Sequence, residues 1–180
     1  GGDALFPELS TKGIQGRIAA RKTSMVDRVA AVRALVERPG PWLLWCGLND
    51  EASALASAIP GSVNVEGSDS YEDKVEAVRR FVGGETRVLI SKPRILGFGM
   101  NFQHCAQMAF VGLSDSYEAY YQCIRRCWRY GQTSPVDVHI VVSEAEQQIV
   151  ENVRRKEAAA ADLSAQLLTH LAVFEREQIA

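Results

Sequence analysis

The sequence predicts an α/β domain built on a mostly parallel central sheet. Short, uniformly apolar runs alternate along the chain with longer segments in which apolar residues recur every three or four positions. Short connections rich in glycine and proline separate them, and such apolar runs are typical of strands buried on both faces. Right-handed crossovers between parallel strands place helices on both faces of the sheet, which gives three layers.

The composition agrees with a single globular domain. The chain has 180 residues, of which 47% are hydrophobic and 23% charged, and its formal net charge is −2. These values exclude a disordered tail, a collagen-like repeat and a polybasic arm. No apolar run approaches the ~20 residues that cross a bilayer, so no membrane contact is expected. The paired glycines at the start, without a methionine or a signal-peptide pattern, lead us to expect a piece of a longer protein.

The first 23 residues are weakly patterned, and the domain is predicted to occupy residues 24–180. Apolar residues at helical spacing begin at Met25, and the Pro-Gly-Pro sequence at 39–41 ends this first helix. The continuous apolar run at 42–46 then predicts a buried strand. The later elements repeat this alternation: helix 49–59, strand 62–65, helix 70–82, strands 87–91 and 107–111, helix 116–130, strand 136–142 and a long helix 144–174. The apolar spacing of the long last helix favours packing across the domain over pairing with a partner helix.

The sharpest chemical signal lies in the helix predicted over residues 116–130. Gln122, Arg125, Arg126 and Arg129 fall at i, i+3, i+4 and i+7, so a helix would place them on one face, with Tyr121, Ile124 and Trp128 on the opposite face against the sheet. No acidic residue lies between 118 and 137 to neutralise the arginines. Guanidinium groups bind phosphate oxygens in a bidentate manner, so this face is a candidate anion site. A solvated charged face is the equally weighted alternative.

Two further signals follow predicted strands. Ser91, Lys92 and Arg94 come directly after the strand 87–91 and lead into Gly97 and Gly99, whose backbone N–H groups are able to approach a phosphate closely. The other is the segment 67–74, in which a glycine and two serines precede a helix, and a turn with a helix cap explains it equally well. In parallel sheets ligands bind at the edge formed by the strand C-termini, where both segments are predicted to lie.

The cysteines carry no metal or disulfide signal. The chain has four, Cys46, Cys105, Cys123 and Cys127, without the paired Cys-x-x-Cys spacing of zinc sites. We expect four buried thiols, no metal site and a reducing compartment such as the cytoplasm.

Taken together, these segments resemble the second RecA-like lobe of superfamily 2 helicases, nearest to Swi/Snf-type DNA translocases and their phage-encoded relatives. The resemblance runs from about residue 42 to residue 144. It rests on four motifs: residues 43–49 resemble motif IV, the Gly-Ser turn with Ser68 precedes the next helix, Gly97-x-Gly99-x-Asn101 resembles motif V, and Gln122-x-x-x-Arg126-x-x-Arg129-x-Gly-Gln resembles motif VI. The chain departs from the family at Arg125 and Leu96, where glycine is usual.

The resemblance implies a RecA-like fold and a role for each motif. Arg126 and Arg129 would be arginine fingers for the γ-phosphate of ATP, and Gln122 would orient them or touch the nucleotide, while Gly97, Gly99 and Asn101 would face the nucleotide cleft. Ser68, Ser91, Lys92 and Arg94 would face nucleic acid, expected to be double-stranded DNA.

The sequence lacks the other half of such a motor. No Gly-x-x-x-x-Gly-Lys-Ser/Thr sequence occurs, and no Asp-Glu-x-His-type acid pair follows a strand, since Asp50-Glu51 begins a helix. The resemblance therefore implies that a first RecA-like lobe, outside this chain, binds most of the ATP and its Mg²⁺. We expect the chain alone to be inactive in ATP hydrolysis. Two alternatives stay open at this point: a non-catalytic module that binds nucleic acid or protein, and a small-molecule enzyme that binds a phosphate at Gly97 and Gly99.

Overall fold

The computed structural model describes residues 15–16, 18–96 and 100–179, with side chains up to residue 169. The helices are α1 (Met25–Leu35), α2 (Asn49–Ala58), α3 (Tyr71–Val82), α4 (Pro93–Leu96), α5 (Tyr117–Cys127) and α6 (Gln147–Ile179). The strands are β1 (Trp42–Cys46), β2 (Val63–Asn64), β3 (Val88–Ser91), β4 (Gln107–Val111) and β5 (Asp137–Val141), and a 3₁₀ turn at Glu144–Glu146 precedes α6. Each element predicted from the sequence is present, and the single turn α4, which is too short to give a periodic signal, is additional.

The five strands form one parallel sheet in the order β2-β3-β1-β4-β5. The central strands are buried along their whole length, as their uniformly apolar sequences predict. Their alternate residues supply two separate cores. Leu43 and Trp45 face the layer that contains α3, α4, α5 and the start of α6, whereas Trp42 and Leu44 face α1 and α2. The predicted three-layer α/β architecture is therefore confirmed.

The buried side of α5 matches the predicted one only at Ile124, which packs against the core. Its buried apolar residues are Tyr120, Cys123 and Cys127, whereas Tyr121 is 38% exposed and Trp128 is 53% exposed. The helix ends at Cys127 because Trp128 leaves helical geometry, with φ −84° and ψ 89°. The helical spacing that placed Trp128 against the sheet therefore does not apply to it.

Among the described side chains of α6, those of its first turns are buried against the domain. Ile149, Val150 and Val153 are buried, but Leu163 and Leu167 are more than half exposed. The prediction that the whole apolar stripe packs across the domain is therefore wrong for Leu163 and Leu167, while the stripe positions 171 and 174 lie outside the side chains that the structure describes. Further along, α6 and α5 border an open groove of about 850 Å³. Within the described residues, no helix is long and apolar enough to cross a membrane.

The chain is already helical before the predicted domain start. Residues 18–23 are helical, and Arg21 within them is largely buried, with 12% of its side chain exposed. This segment has no periodic apolar pattern because a buried arginine, rather than an apolar stripe, anchors it.

Candidate functional site

The end of α5 carries three arginines, Arg125, Arg126 and Arg129, which we call the arginine cluster. α5 begins at a cap in which the Ser116 hydroxyl accepts a hydrogen bond from the backbone N–H of Ala119, 3.2 Å away. Because the helix ends at Cys127, Arg129 lies on the connection that follows it. The prediction that one helical face presents all these arginines is therefore wrong for Arg129.

Arg126 is largely buried and has neutral partners. Its side chain is 8% exposed, and its guanidinium donates to the backbone carbonyls of Gln122 at 3.0 Å and Met100 at 3.0 Å, and to the Gln122 side-chain oxygen at 3.3 Å. Burial, followed by the like charge of Arg129, lowers the pKa of Arg126 from its usual value. This cation is thus desolvated and hydrogen-bonded without being neutralised.

Arg129 reaches the same region from outside the helix. Its Nη1 donates to the side-chain oxygen of Asn101. Among the described residues, no carboxylate oxygen lies within 4.0 Å of the nitrogens of Arg126 or Arg129. The structure therefore brings together Gln122, Asn101, Arg126 and Arg129, and the positive charge of this group stays available to an anion.

The arginine cluster also holds the segment that leads to β4. The backbone N–H of Phe102 donates to the carbonyl of Arg126 at 2.7 Å, next to the Met100 and Asn101 contacts. Gly97 and Gly99, the other predicted members of this site, lie outside the described residues.

Gln132, at the end of the sequence that resembles motif VI, is a structural residue. Its side-chain N–H group donates to the carbonyls of Cys105 at 2.9 Å and Cys127 at 3.2 Å. Gly131 before it has a φ of +93°, a conformation that favours glycine. The Gly-Gln pair therefore turns the chain after α5 and fixes it to the segment before β4.

Three predicted nucleic-acid residues meet at the C-terminal edge of the sheet. Ser68, Lys92 and Arg94 line one pocket of about 390 Å³, which we call the loop pocket. Ser68 and Arg94 are exposed, whereas Lys92 is 9% exposed and its Nζ donates to the side-chain oxygen of Asn49. The turn that carries Ser68 is fixed by Lys74, whose Nζ donates to the carbonyl of Gly67 at 2.9 Å.

Ser91 is not part of this surface. It is 1% exposed, and its hydroxyl donates to the carbonyl of Val65 at 3.1 Å, which ties β3 to the segment after β2. The side chain is thus occupied within the fold, and the expectation that it faces nucleic acid does not agree with its position.

A buried network of two arginines and two glutamates lies at the same edge, and it was not predicted from the sequence. Glu51, which is fully buried, accepts from Arg21 at 2.9 and 3.0 Å and from Arg28 at 2.8 Å, and Glu146 lies 3.3 Å from Arg21. Glu51 also accepts from the backbone N–H groups of residues 47 and 48. Three segments that are far apart in the sequence meet here, so no local pattern could predict the network.

Two glycines make room for Arg21. A Cβ atom at Gly47, after β1, or at Gly112, after β4, would collide with the Arg21 guanidinium, and Gly112 also has a φ of +80°. Arg21 therefore fills the gap between the ends of the two central strands.

The cysteines agree with the predicted structural role. All four are buried and unpaired, and burial raises the pKa of Cys46 and of Cys123 to about 12. In the part of the chain that the structure describes, no group of three or more His, Cys, Asp or Glu side chains could hold a metal ion.

The fold is similar to that of several solved helicase lobes. The C-terminal part of the Fun30 ATPase domain matches with a TM-score of 0.63 and 17% identity, over 70% of this chain and 44% of that one. The Escherichia coli DEAD-box protein SrmB, bound to regulator of ribonuclease activity A, matches with a TM-score of 0.66 and 17% identity, over 73% and 79% of the two chains. The C-terminal domain of the DEAD-box protein Dbp5 matches with a TM-score of 0.62 and 16% identity, over 73% and 78%. This chain thus spans less than half of the Fun30 structure and over three quarters of the other two.

The family is shown by the sequence itself. A comparison with curated proteins gives no match. The family described as "Helicase conserved C-terminal domain" matches residues 28–131, which include most of α1, the loop pocket and the arginine cluster. Since that match covers more than half of the 180 residues, the chain belongs to the helicase conserved C-terminal domain family.

Proposed function

We propose that this chain is the second motor lobe of an ATP-dependent helicase or nucleic-acid translocase, and that it acts with a first RecA-like lobe. The arginine cluster is the observation that carries the proposal. Arg126 and Arg129 have only neutral partners among the described residues, and a buried, unneutralised guanidinium is costly unless an anion completes it. A triphosphate held by a neighbouring lobe supplies that anion.

The residues present fit this role toward ATP. Arg126 and Arg129 would hold the γ-phosphate, and Gln122, which already accepts from Arg126, would orient the guanidinium. ATP supplies the transferable phosphoryl group, and the proposal assigns the Mg²⁺ ligands to the first lobe. The hydrogen bonds from Arg126 to Met100 and from Arg129 to Asn101 give the nucleotide site a direct mechanical link to the segment after α4.

The subfamily we propose is that of Swi/Snf-type DNA translocases or their phage-encoded relatives. The Gln-x-x-x-Arg-x-x-Arg-x-Gly-Gln sequence, which resembles motif VI, supports this subfamily. Duplex DNA is then the expected nucleic acid, bound at the loop pocket, and DEAD- or DEAH-like RNA helicases are the competing subfamily.

The decisive experiment is an ATPase assay in two forms. We expect the chain alone to show no nucleic-acid-stimulated hydrolysis, because it lacks a phosphate-binding loop. A longer protein that joins it to an ATP-binding first lobe should hydrolyse ATP faster when duplex DNA is added. Robust turnover by the chain alone would contradict the proposal. A joined protein that binds nucleic acid but never hydrolyses ATP would favour a non-catalytic binding module, and stimulation by RNA alone would change the subfamily.

The loop pocket leads to a separate prediction about how DNA binding depends on salt concentration. Arg94 is exposed and forms no ion pair among the described residues, so it is free to contact a phosphate. We expect the chain to bind duplex DNA weakly, and Arg94→Ala to reduce the slope of log K against log salt by about 1. The matched control is Arg33→Ala, an exposed arginine on α1 in the opposite layer. Equal slopes for the two variants, measured by fluorescence anisotropy over a salt series, would remove Arg94 from the interface.

A further inference from the structure

The groove of about 850 Å³ between α5 and α6, which we call the helix groove, has uncovered apolar surface on both sides. Glu157 is the one charged residue among its described lining residues. The walls that matter for its shape are Tyr121, Ile124 and Trp128 on the α5 side and Ala161, Ala165 and Leu168 on the α6 side. The wall is thus aromatic on one side and mostly small on the other, which leaves room for a further helix to lie between them.

The surface of the helix groove is open to solvent. Leu168 is 68% exposed, and Tyr121 and Trp128 are exposed on the opposite wall. Tryptophan and tyrosine carry much of the binding energy of protein interfaces, and a continuous exposed apolar patch marks an interaction surface. The shape and the chemistry of the groove therefore fit an amphipathic helix.

α6 itself carries a second uncovered apolar strip that fits such a groove. About 40 Å of helix follows Val153, the last of its buried residues. Leu163 and Leu167 lie one helical turn apart on this part, are more than half exposed and do not line the helix groove. Helices in proteins owe most of their stability to the packing of an apolar face, so this strip is expected to be covered.

The charges along α6 favour an antiparallel neighbour of the same sequence. Residues 154–156 are all basic, whereas four acidic residues and one arginine follow between 157 and 180. An antiparallel copy places the acidic part of one helix beside the basic start of the other, and a parallel copy places like charges together. A second copy of this chain thus supplies both the apolar strip and the complementary charge.

We propose that two copies of this chain form a dimer through their α6 helices, which pair antiparallel. The strip of Leu163 and Leu167 in each copy enters the helix groove of the other. Each copy then uses the same two surfaces, so a two-fold axis closes the assembly as a dimer. This interface goes beyond the motor role proposed above and requires neither ATP nor a first lobe.

The first test measures the association of the 180-residue chain by sedimentation velocity, from about 1 to about 500 μM. We expect a transition from monomer to dimer in this range. The double variant Leu163→Ala/Leu167→Ala is expected to weaken dimerisation at least about 100-fold, because two leucines are lost from each copy. Both leucines are exposed in the single copy and alanine favours helix, so the fold is retained, which circular dichroism checks. The matched control is Gln166→Ala, an exposed position on the same helix that does not line the groove.

A second pair of variants tests whether the helix groove is the receiving surface. Tyr121→Ala removes part of the α5 wall and is expected to weaken dimerisation about tenfold. Tyr130→Ala is its control, because Tyr130 is 99% exposed and does not line the groove. This control should dimerise as the unmodified chain does.

Spin labels test the orientation of the two helices. All four native cysteines are buried, so a nitroxide reacts with a cysteine introduced at Ala158 or Gln166, both exposed. The strip and groove residues of α6 centre near residues 163–165, so an antiparallel pair separates the two labels further at position 158 than at position 166. A parallel pair gives the same label-to-label distance at both positions.

The proposal is overturned by any of four results. These are a monomer at every concentration, a leucine variant that dimerises as tightly as Gln166→Ala, equal affinities of Tyr121→Ala and Tyr130→Ala, and equal label distances at the two positions. A monomer would assign the helix groove to a different protein or segment. None of these readouts involves ATP hydrolysis, so the failure of this proposal and the failure of the motor proposal are distinguishable.

Discussion

Replacing Arg129 by alanine is expected to reduce nucleic-acid-stimulated ATP hydrolysis by about 10³-fold, in a protein that joins this chain to an ATP-binding lobe. The physical reason is that a guanidinium placed on the transferring phosphoryl group stabilises charge that develops only in the transition state. Nucleotide affinity should change little, because the first lobe supplies most of the ground-state contacts. Steady-state turnover and a separate nucleotide-binding titration distinguish the two quantities.

The matched control for this variant is Arg125→Ala. Arg125 lies in the last turn of α5, four residues before Arg129, and its guanidinium lies over the ring of Trp128, 5.5 Å from the ring centroid. We expect it to retain most of the activity. A second comparison, Asn101→Ala, removes the hydrogen-bond acceptor of the Arg129 guanidinium among the described residues. It shows whether Arg129 acts through its own charge or by holding the segment that carries Asn101. Turnover unchanged in Arg129→Ala, or lost equally in Arg125→Ala, would refute the assignment of Arg129 as a finger.

Replacing Glu51 by alanine is expected to lower the free energy of unfolding by about 3–5 kcal/mol. Glu51 is fully buried and holds the guanidinium groups of Arg21 and Arg28, together with the N–H groups at the start of α2. Its removal leaves Arg28, which is 3% exposed, as a buried cation without a carboxylate. Since domains are stable by roughly 5–15 kcal/mol in total, the loss is large, and urea unfolding at low temperature measures it.

Glu76→Ala is the control for the buried network. Glu76 forms an equally short ion pair with Arg79, at 2.8 Å, but more than half of each side chain is exposed. Solvent screens that pair, so its loss is expected to leave the unfolding midpoint nearly unchanged. If the two variants unfold at the same urea concentration, the network does not stabilise the domain as its burial suggests.

Local patterns in the sequence predicted most of the helices and strands. β1 and β3 are uniformly apolar because both of their faces are covered, and that property is visible residue by residue. The strand order was not predicted, since it depends on crossovers between distant segments. The α5 helix was placed correctly, but its end was not, because the backbone turn at Trp128 depends on contacts with the segment before β4.

The candidate site was also predicted only in part from the sequence. Residue types and spacing placed Arg126 and Arg129 together, and the structure shows them meeting Gln122 and Asn101 through neutral hydrogen bonds. Ser91 was also placed in the site, but its hydroxyl is used inside the fold. Whether a polar side chain at the end of a strand faces outward depends on what packs beside it, and the sequence does not record this.

The sequence by itself determined the alternation of strands and helices and the chemistry of the arginine cluster, because hydrophobic periodicity and residue type are local properties. Only the tertiary structure decided which charges are free and which are neutralised. Arg21 and Arg28 meet Glu51 across about 20 to 30 residues of chain, whereas Arg126 and Arg129 meet no carboxylate in the described part of the molecule. The reason is that ion pairing depends on distances in space, and folding sets those distances for residues far apart in the chain.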